Sequence, residues 1–237
     1  MSKAELKDEY MSNNTFDKPE KISRFFNERA AGYNKHMEQA LESSFKKFYR
    51  LISAFISETK EKITVLELGC GTGLELEGIF TKAPNALVTG IDVSEKMLSN
   101  IRSKYVRFLE QIELIRGSYL TIPFQEKKYD YVVSVMAMHH LLHDTKRKLY
   151  EKISKALKNG GKYIEGDYVV SKEKEQQFLM EYNKKIKGVK KCQNGTYHID
   201  IPFSIKTQCQ LLLEAGFSDV EVIWHENEAA IFVAGVK

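Results

Sequence analysis

The residues with the most chemical meaning are glycines at alternate positions with an acid beyond them. Glu67-Leu68-Gly69-Cys70-Gly71-Thr72-Gly73 follows a short apolar run. Glycine lets the chain turn sharply and lets a ligand approach the backbone closely. A helix starting at once after such a loop would turn its free N–H groups toward a polar or anionic group. The dinucleotide fingerprint needs its third glycine where Leu74 stands, so the chain does not meet it. Asp92 lies 19 residues beyond Gly73, at the end of the next apolar run. A carboxylate there can accept both hydroxyls of a ribose.

Further reactive groups fall after later apolar runs. His139 and His140 sit in Ser134-Val135-Met136-Ala137-Met138-His139-His140-Leu141. Their imidazoles suit proton transfer near neutrality, or they pack and cap a helix start. Asp167 and Tyr168 end another run. His198 and Asp200 alternate in Tyr197-His198-Ile199-Asp200-Ile201-Pro202, which puts both on one face of an extended stretch. That face either lines a pocket or holds a lid. The cysteines Cys70, Cys192 and Cys209 form no Cys-x-x-Cys, and no His/Cys cluster has zinc-ligand spacing, so a metal is not expected. Trp224 is expected to pack within its strand pair. Lys184-Lys185-Ile186-Lys187-Gly188-Val189-Lys190-Lys191 carries five lysines and no acid. It could attract RNA phosphates, but it lacks interleaved aromatics and reads better as a solvated helix face.

The elements that position these groups alternate. Helices are expected over about 20–30 and 37–58. Strands are expected at Ile63–Leu68, Leu87–Ile91, Glu113–Arg116, Tyr129–Val135 and Lys162–Tyr168. Between them the pattern gives helices at Leu74–Phe80, at Ser94–Arg107 with Ser94 as N-cap, and at Asp144–Leu157, stopped by Asn159-Gly160-Gly161. Leu120–Lys128 is too short for a full helix. Helices near Lys172–Lys187 and Ser204–Ala215 precede two closing strands, Val220–Trp224 and Ala229–Val236. This alternation predicts an α/β fold with a doubly wound, mostly parallel seven-stranded Rossmann-like sheet. The last gap is too short for a crossover, so those strands form an antiparallel hairpin. Residues 1–58 read as an N-terminal arm and helical cap. Residues 59–237 read as the ligand-binding domain, with a substrate-side insertion at about 170–203. Ligands of such sheets bind at the carboxyl ends of the strands.

The 237 residues allow one large domain or one with an elaboration. At 43% hydrophobic and 29% charged, the composition is globular rather than disordered. No apolar run has the length of a membrane span, and the N-terminus lacks the apolar core of a signal peptide. With the odd cysteine count, this points to a reducing cytoplasm and no membrane partner. The net charge of +4 permits an anionic partner without demanding one.

Over roughly 60–237 the chain resembles the class I S-adenosylmethionine (SAM)-dependent methyltransferases, and Glu67–Gly73 matches one of that family's most specific strings. The resemblance implies SAM as cofactor. Its methionine part would lie on the loop of Glu67, Gly69, Cys70, Gly71 and Gly73, and Asp92 would hold the ribose. Val93 and Met97 would flank the adenine. Ser118 stands where the family often has an acid toward the adenine, with Tyr119 beside it. Met136 lies in Ser134–Leu141, a stretch that resembles the family's small-molecule branch. Phe26-Asn27-Glu28-Arg29-Ala30-Ala31-Gly32-Tyr33 resembles a cap closing over the cofactor, with Tyr33 toward the methionine end. Methyl transfer needs nucleophile, methyl and sulfur in line, and aromatic faces stabilise a sulfonium. A proton on the nucleophile would need a base, for which His139, His140, Asp167, Tyr168 and His198 are the candidates.

Three functions fit. The first is methyl transfer to a small molecule. No Asn-Pro-Pro-Tyr-like string follows the fourth strand, which argues against amine methylation of a nucleobase. The second is a wobble-uridine tRNA-modifying relative using SAM or carboxy-SAM, with the lysine run as RNA contact. The third is a non-catalytic SAM-binding module. Oligomeric state is not written in the sequence.

Overall fold

The apolar runs become the strands β1 (Thr64–Leu68), β2 (Leu87–Asp92), β3 (Ile112–Arg116), β4 (Tyr129–Val135), β5 (Leu157–Tyr168), β6 (Asp219–Glu226) and β7 (Ala229–Gly235). In the computed structural model, which describes residues 20–187 and 197–237, they form one sheet in the order β3-β2-β1-β4-β5-β7-β6. The first five strands pair in parallel. The expected hairpin is present: β7 runs antiparallel to both β5 and β6. The chain winds outward from β1 to β3 and then returns to place β4 on the other side of β1. The crevice at the carboxyl ends of β1 and β4 is therefore the switch point of the topology.

The helices are α1 (Ile22–Arg29), α2 (Tyr33–Leu41), α3 (Phe45–Ala54), α4 (Leu76–Lys82), α5 (Glu95–Lys104), α6 (His143–Ala156), α7 (Lys172–Ile186) and α8 (Ile205–Glu214). Buried clusters cover both faces of the sheet. One gathers Leu66, Tyr163, Leu211 and Phe232, the other Phe48, Ile52, Ile79 and Ile164. Gly166 of β5 admits α3 closely, because a Cβ there would stand 2.6 Å from both Phe48 and Ile52.

Several boundaries differ from the sequence reading. The helix expected over 37–58 is broken at Glu42, whose φ of 48° opens a 3-10 turn over Glu42–Ser44. The two halves serve different surfaces: Met37 and Leu41 face a cleft, whereas Phe48 and Ile52 face the sheet. Asn159-Gly160-Gly161 does not stop a helix. It lies inside β5, because Leu157 is already extended and pairs with Tyr129. The helix after the glycine loop starts at Leu76 rather than Leu74, and α5 gives way to a 3-10 stretch over Val106–Gln111. Residues 120–128 hold only turns and bends, as their length required. Lys184, Lys185 and Lys187 are exposed around the end of α7. The rest of the lysine run, Cys192 and residues 1–19 of the N-terminal arm lie outside the described residues. Among the described residues, no helix is long and apolar enough to cross a membrane.

Ser94 caps α5 as the sequence predicts. Its Oγ accepts from Met97 N at 3.2 Å and donates to Asn27 Oδ1 at 2.8 Å. Asn27 also accepts from Lys96 N, so the N-terminal helices are tied to the start of α5. Ser94→Ala is expected to cost about 1–2 kcal/mol, read as a lower urea midpoint with unchanged slope.

Candidate active site

The carboxyl ends of β1, β2 and β4 enclose a first cavity. Gly69 and Gly71 form its floor, Asp92, Val93 and Met97 one side, and Ser118, Tyr119 and Met136 the other. Gly69 has φ +69°, and a Cβ there would stand 2.7 Å from the Cβ of Ala137, so only glycine leaves this space open. The loop holds itself together with its own amides. Gly69 N and Cys70 N donate to Ile91 O, Gly73 N donates to Cys70 O, and Gly71 N donates to Asp92 Oδ2 at 2.9 Å. The loop therefore does not present a ring of free N–H groups to a phosphate. This fits a ligand held by shape and by Asp92, and it departs from the sequence expectation of free amides at a helix start.

Asp92 is buried and accepts a second bond from Ser94 N at 2.8 Å. Burial raises its pKa to about 6, against the pull of the Ser94 and Gly71 amides. Met136 leaves β4 with a φ of 49°, a strained conformation for a side chain of its kind, and its N–H donates to Gly166 O at 2.7 Å. Tyr119 is fixed through its hydroxyl, which donates to Ala137 O at 3.0 Å, and burial raises its pKa.

A second cleft of about 670 Å3 opens beside the first, under α1 and α2. Phe26, Tyr33, Met136 and His140 line both spaces, so the two meet there. The cap is tied to the glycine loop by Thr72 Oγ1, which donates to Asn34 Oδ1 at 2.5 Å. Aromatic walls come from Phe25, Tyr168 and Trp224, and acids from Glu42, Asp200, Glu226 and Glu228. No lysine or arginine lines either space among the described residues.

A polar cluster occupies the junction. His139 Nδ1 lies 2.6 Å from Asp167 Oδ1, and His140 Nδ1 lies 3.2 Å from Asp200 Oδ1. His198 stacks on Phe25, with ring centroids 3.5 Å apart, and its Nε2 is 4.0 Å from Asp200 Oδ1. Burial disfavours a charge on His139, yet the Asp167 carboxylate outweighs this and raises the imidazole's pKa. Burial and the neighbouring His139 lower His140, and burial lowers His198 to about 3. Burial also opposes the Asp200 charge, but the three imidazoles around it hold its pKa well below the ordinary carboxylate value. Behind the cluster, Lys146 Nζ stands 3.4 Å from both Asp167 Oδ2 and Glu165 Oε1, with all three side chains buried.

The residues singled out from sequence divide three ways. Tyr33, Gly69, Gly71, Asp92, Val93, Met97, Ser118, Tyr119 and Met136 all line the first cavity. His139, His140, Tyr168 and His198 line the cleft, with Asp167 buried directly behind His139. Glu67, Cys70 and Gly73 line neither space. Glu67 is buried, and that burial with Glu75 beside it raises its pKa well above the carboxylate range. The Cys70 side chain turns away, toward Gly90. Trp224 packs on Phe48 as well as facing the cleft. Ile22, Phe25, His36 and the acids Glu226 and Glu228 were not foreseen. They come from the helical cap and the hairpin turn, where only three-dimensional closure shows a role.

Comparison with known proteins gives a consistent picture. A methyltransferase-domain family model matches residues 65–161. A carboxy-S-adenosyl-L-methionine synthase of Nautilia profundicola is 23% identical over 234 residues, which is 94% of this chain and 99% of that protein. A protein of the same name from Wolinella succinogenes is 30% identical over 186 residues, covering 74% of this chain and 77% of its own. The fold is shared with human N-acetylserotonin methyltransferase in complex with SAM, at a TM-score of 0.62 and 18% identity, over 91% of this chain and 57% of that one.

Proposed function

Because the chain belongs to the class I SAM-dependent methyltransferase family, we propose that it moves a methyl group from SAM to a nucleophilic atom of a small molecule held in the cleft under its cap. SAM is the cofactor of this family, and the residues around the first cavity suit it, although the open space of about 40 Å3 must widen to admit it. The glycine floor would be filled by any Cβ at Gly69, and Asp92 offers an acceptor for ribose hydroxyls. Bound there, SAM supplies an electrophilic methyl on a sulfonium. The chain's own residues do the rest. Gly69 and Gly71 admit the methionine part, Val93 and Met97 give apolar faces to the adenine, and Tyr33 and Tyr119 present aromatic faces to positive charge. Tyr33, Phe26, Met136 and His140 stand where the two spaces meet, which is where an acceptor atom must be aimed.

The observation that carries the small-molecule reading is the shape of the acceptor space. A cleft of about 670 Å3 has the size of a ligand pocket and is roofed by α1 and α2. Its acids would repel a phosphate backbone, which disfavours an RNA acceptor. The near full-length relatives named as carboxy-SAM synthases raise a second reading, handling of a carboxylated SAM. Among the described residues no lysine or arginine lines either space, which disfavours it, since carboxylate recognition normally recruits such a cation. The test is incubation with methyl-labelled SAM and, separately, with a low-molecular-weight cell extract and a tRNA fraction. Label is expected in the small-molecule fraction. Label in tRNA alone would overturn the proposal.

Cofactor affinity should also depend on pH. Ribose hydroxyls donate to the ionised form of Asp92, whose pKa in the free protein is about 6. Binding therefore expels a proton below that value. Affinity is expected to be flat above pH 6 and to fall by up to about tenfold per pH unit below it. Calorimetry with S-adenosylhomocysteine from pH 5 to 8 reads this directly, and a flat profile would remove Asp92 from the ribose site.

A further inference from the structure

We infer that His139, His140 and Asp200 form a binding site for one divalent transition-metal ion at the floor of the acceptor cleft, with His198 beside them. The use of that ion rests on the methyl-transfer reading, but its binding does not.

The donor atoms are already spaced for an ion. Ligating atoms of His139, His140 and Asp200 all lie within 4.8 Å of one another. From Asp200 Oδ1 the distances are 3.2 Å to His140 Nδ1, 3.8 Å to His139 Nε2 and 4.0 Å to His198 Nε2. Around a tetrahedral ion with bonds of about 2.0–2.1 Å, ligand atoms stand about 3.3–3.4 Å apart. The His140–Asp200 and His139–Asp200 pairs stand within about half an ångström of that spacing, and closing the rest of the group from within 4.8 Å takes side-chain rotation.

Two of these atoms also want a partner. His140 Nδ1 and Asp200 Oδ1 are buried and face each other at 3.2 Å, with no other hydrogen-bond partner among the described residues. Buried polar atoms are seldom left so. A single cation satisfies both.

The surroundings are those of an oriented ligand set. His139 has its Nδ1 committed to Asp167, which leaves Nε2 facing the cluster. A carboxylate behind a ligating imidazole is the usual outer partner that fixes its tautomer and direction. Lys146 in turn fixes Asp167. Ile201 N donates to His139 O at 2.6 Å, which joins the segment carrying His198 and Asp200 to the one carrying His139 and His140. The stacking of His198 on Phe25 holds the third imidazole beside this set.

Imidazoles with one carboxylate select zinc or its first-row neighbours. Calcium and magnesium want oxygen donors. All four residues line the cleft, and His140 also lines the cofactor cavity. An ion here would front on the acceptor, bind its oxygen, nitrogen or sulfur, and ease loss of that atom's proton. It would also bring positive charge to a cleft that has acids but no lysine or arginine among its lining residues.

The test uses the full chain, stripped with a chelator and titrated with Co2+. We expect one-to-one uptake, visible d–d bands of a low-coordinate nitrogen and oxygen site, and displacement by Zn2+. Asp167→Asn should weaken Co2+ binding by about 10–100-fold, as loss of an outer partner does. Asp200→Asn and His139→Gln should weaken it further. None of these three residues lines the cofactor cavity, so each variant should still bind S-adenosylhomocysteine, which also shows that it is folded. No stoichiometric uptake, or uptake unchanged in Asp200→Asn and His139→Gln, would overturn the site. Uptake without S-adenosylhomocysteine binding would keep the site and sink the methyl-transfer reading instead.

Discussion

Lys146→Met is expected to lower the unfolding free energy by about 3–5 kcal/mol. Lys146 is 1% exposed, and its ammonium lies 3.4 Å from both Glu165 and Asp167. Methionine keeps most of the length of the stem, so little cavity is created, while the ammonium's approach to the Tyr150 and Phe203 rings, 5.8 and 5.4 Å from their centroids, is lost with the charge. What is lost is the only lysine or arginine paired with either carboxylate among the described residues. Glu165 keeps the hydroxyls of Tyr150 at 2.6 Å and Tyr163 at 2.8 Å, and Gln208 Nε2 at 2.5 Å. These donors do not neutralise two buried charges. The pH dependence has a definite sign. Burial already raises the pKa of Glu165, with Lys146 opposing it. Without Lys146 the folded variant holds that proton more tightly than the unfolded chain does. Its stability then rises as pH falls, so the deficit should be smaller at pH 5 than at pH 8. Urea unfolding at the two pH values measures both effects, and a variant as stable as the parent would show that the three groups do not act as an ion cluster.

Asp92→Ala is expected to weaken S-adenosylhomocysteine binding by about 100-fold or more. A hydrogen bond to a charged group contributes about 1.5–3 kcal/mol, and a ribose offers two hydroxyls to one carboxylate. The loss of about 3 kcal/mol corresponds to about 100-fold in affinity. The substitution also removes the acceptor of Gly71 N and Ser94 N, which loosens the loop at the cavity floor. Asp92→Asn separates the two effects, because it keeps the shape and one acceptor oxygen while losing the charge. Its affinity should fall between those of the parent and Asp92→Ala. Calorimetry reads all three, and equal affinities would show that the ligand lies elsewhere.

How much of this was readable in the sequence follows from the range of the interactions involved. The sheet was readable because each strand is a local apolar run, and the hairpin because a short gap admits no crossover. Asp92 was readable because the second strand ends there, and Ser94 because an N-cap is a local feature. The helix break at Glu42 was not. The apolar spacing continues through it, and only the two surfaces served by Met37 and Phe48 require it. The inner end of β5 was misread because Gly160 and Gly161 look like a helix stop, while pairing with β4 decides the matter. Glu67 and Cys70 belong to the glycine string but point behind it, and a motif does not say which way its side chains face. The meeting of His139 with Asp200 was least visible. These residues lie 61 positions apart, and the Ile201–His139 backbone bond that joins their segments has no local signal.

The most direct test of the central claim, that the strand-end cavity holds the methyl donor beside a separate acceptor cleft, is calorimetric titration of the full chain. S-adenosylhomocysteine, SAM and carboxy-SAM would be titrated in turn at pH 7.5. One-to-one binding of the first two, with carboxy-SAM weaker, is the expected result. Tighter binding of carboxy-SAM, or binding of none of the three, would contradict it.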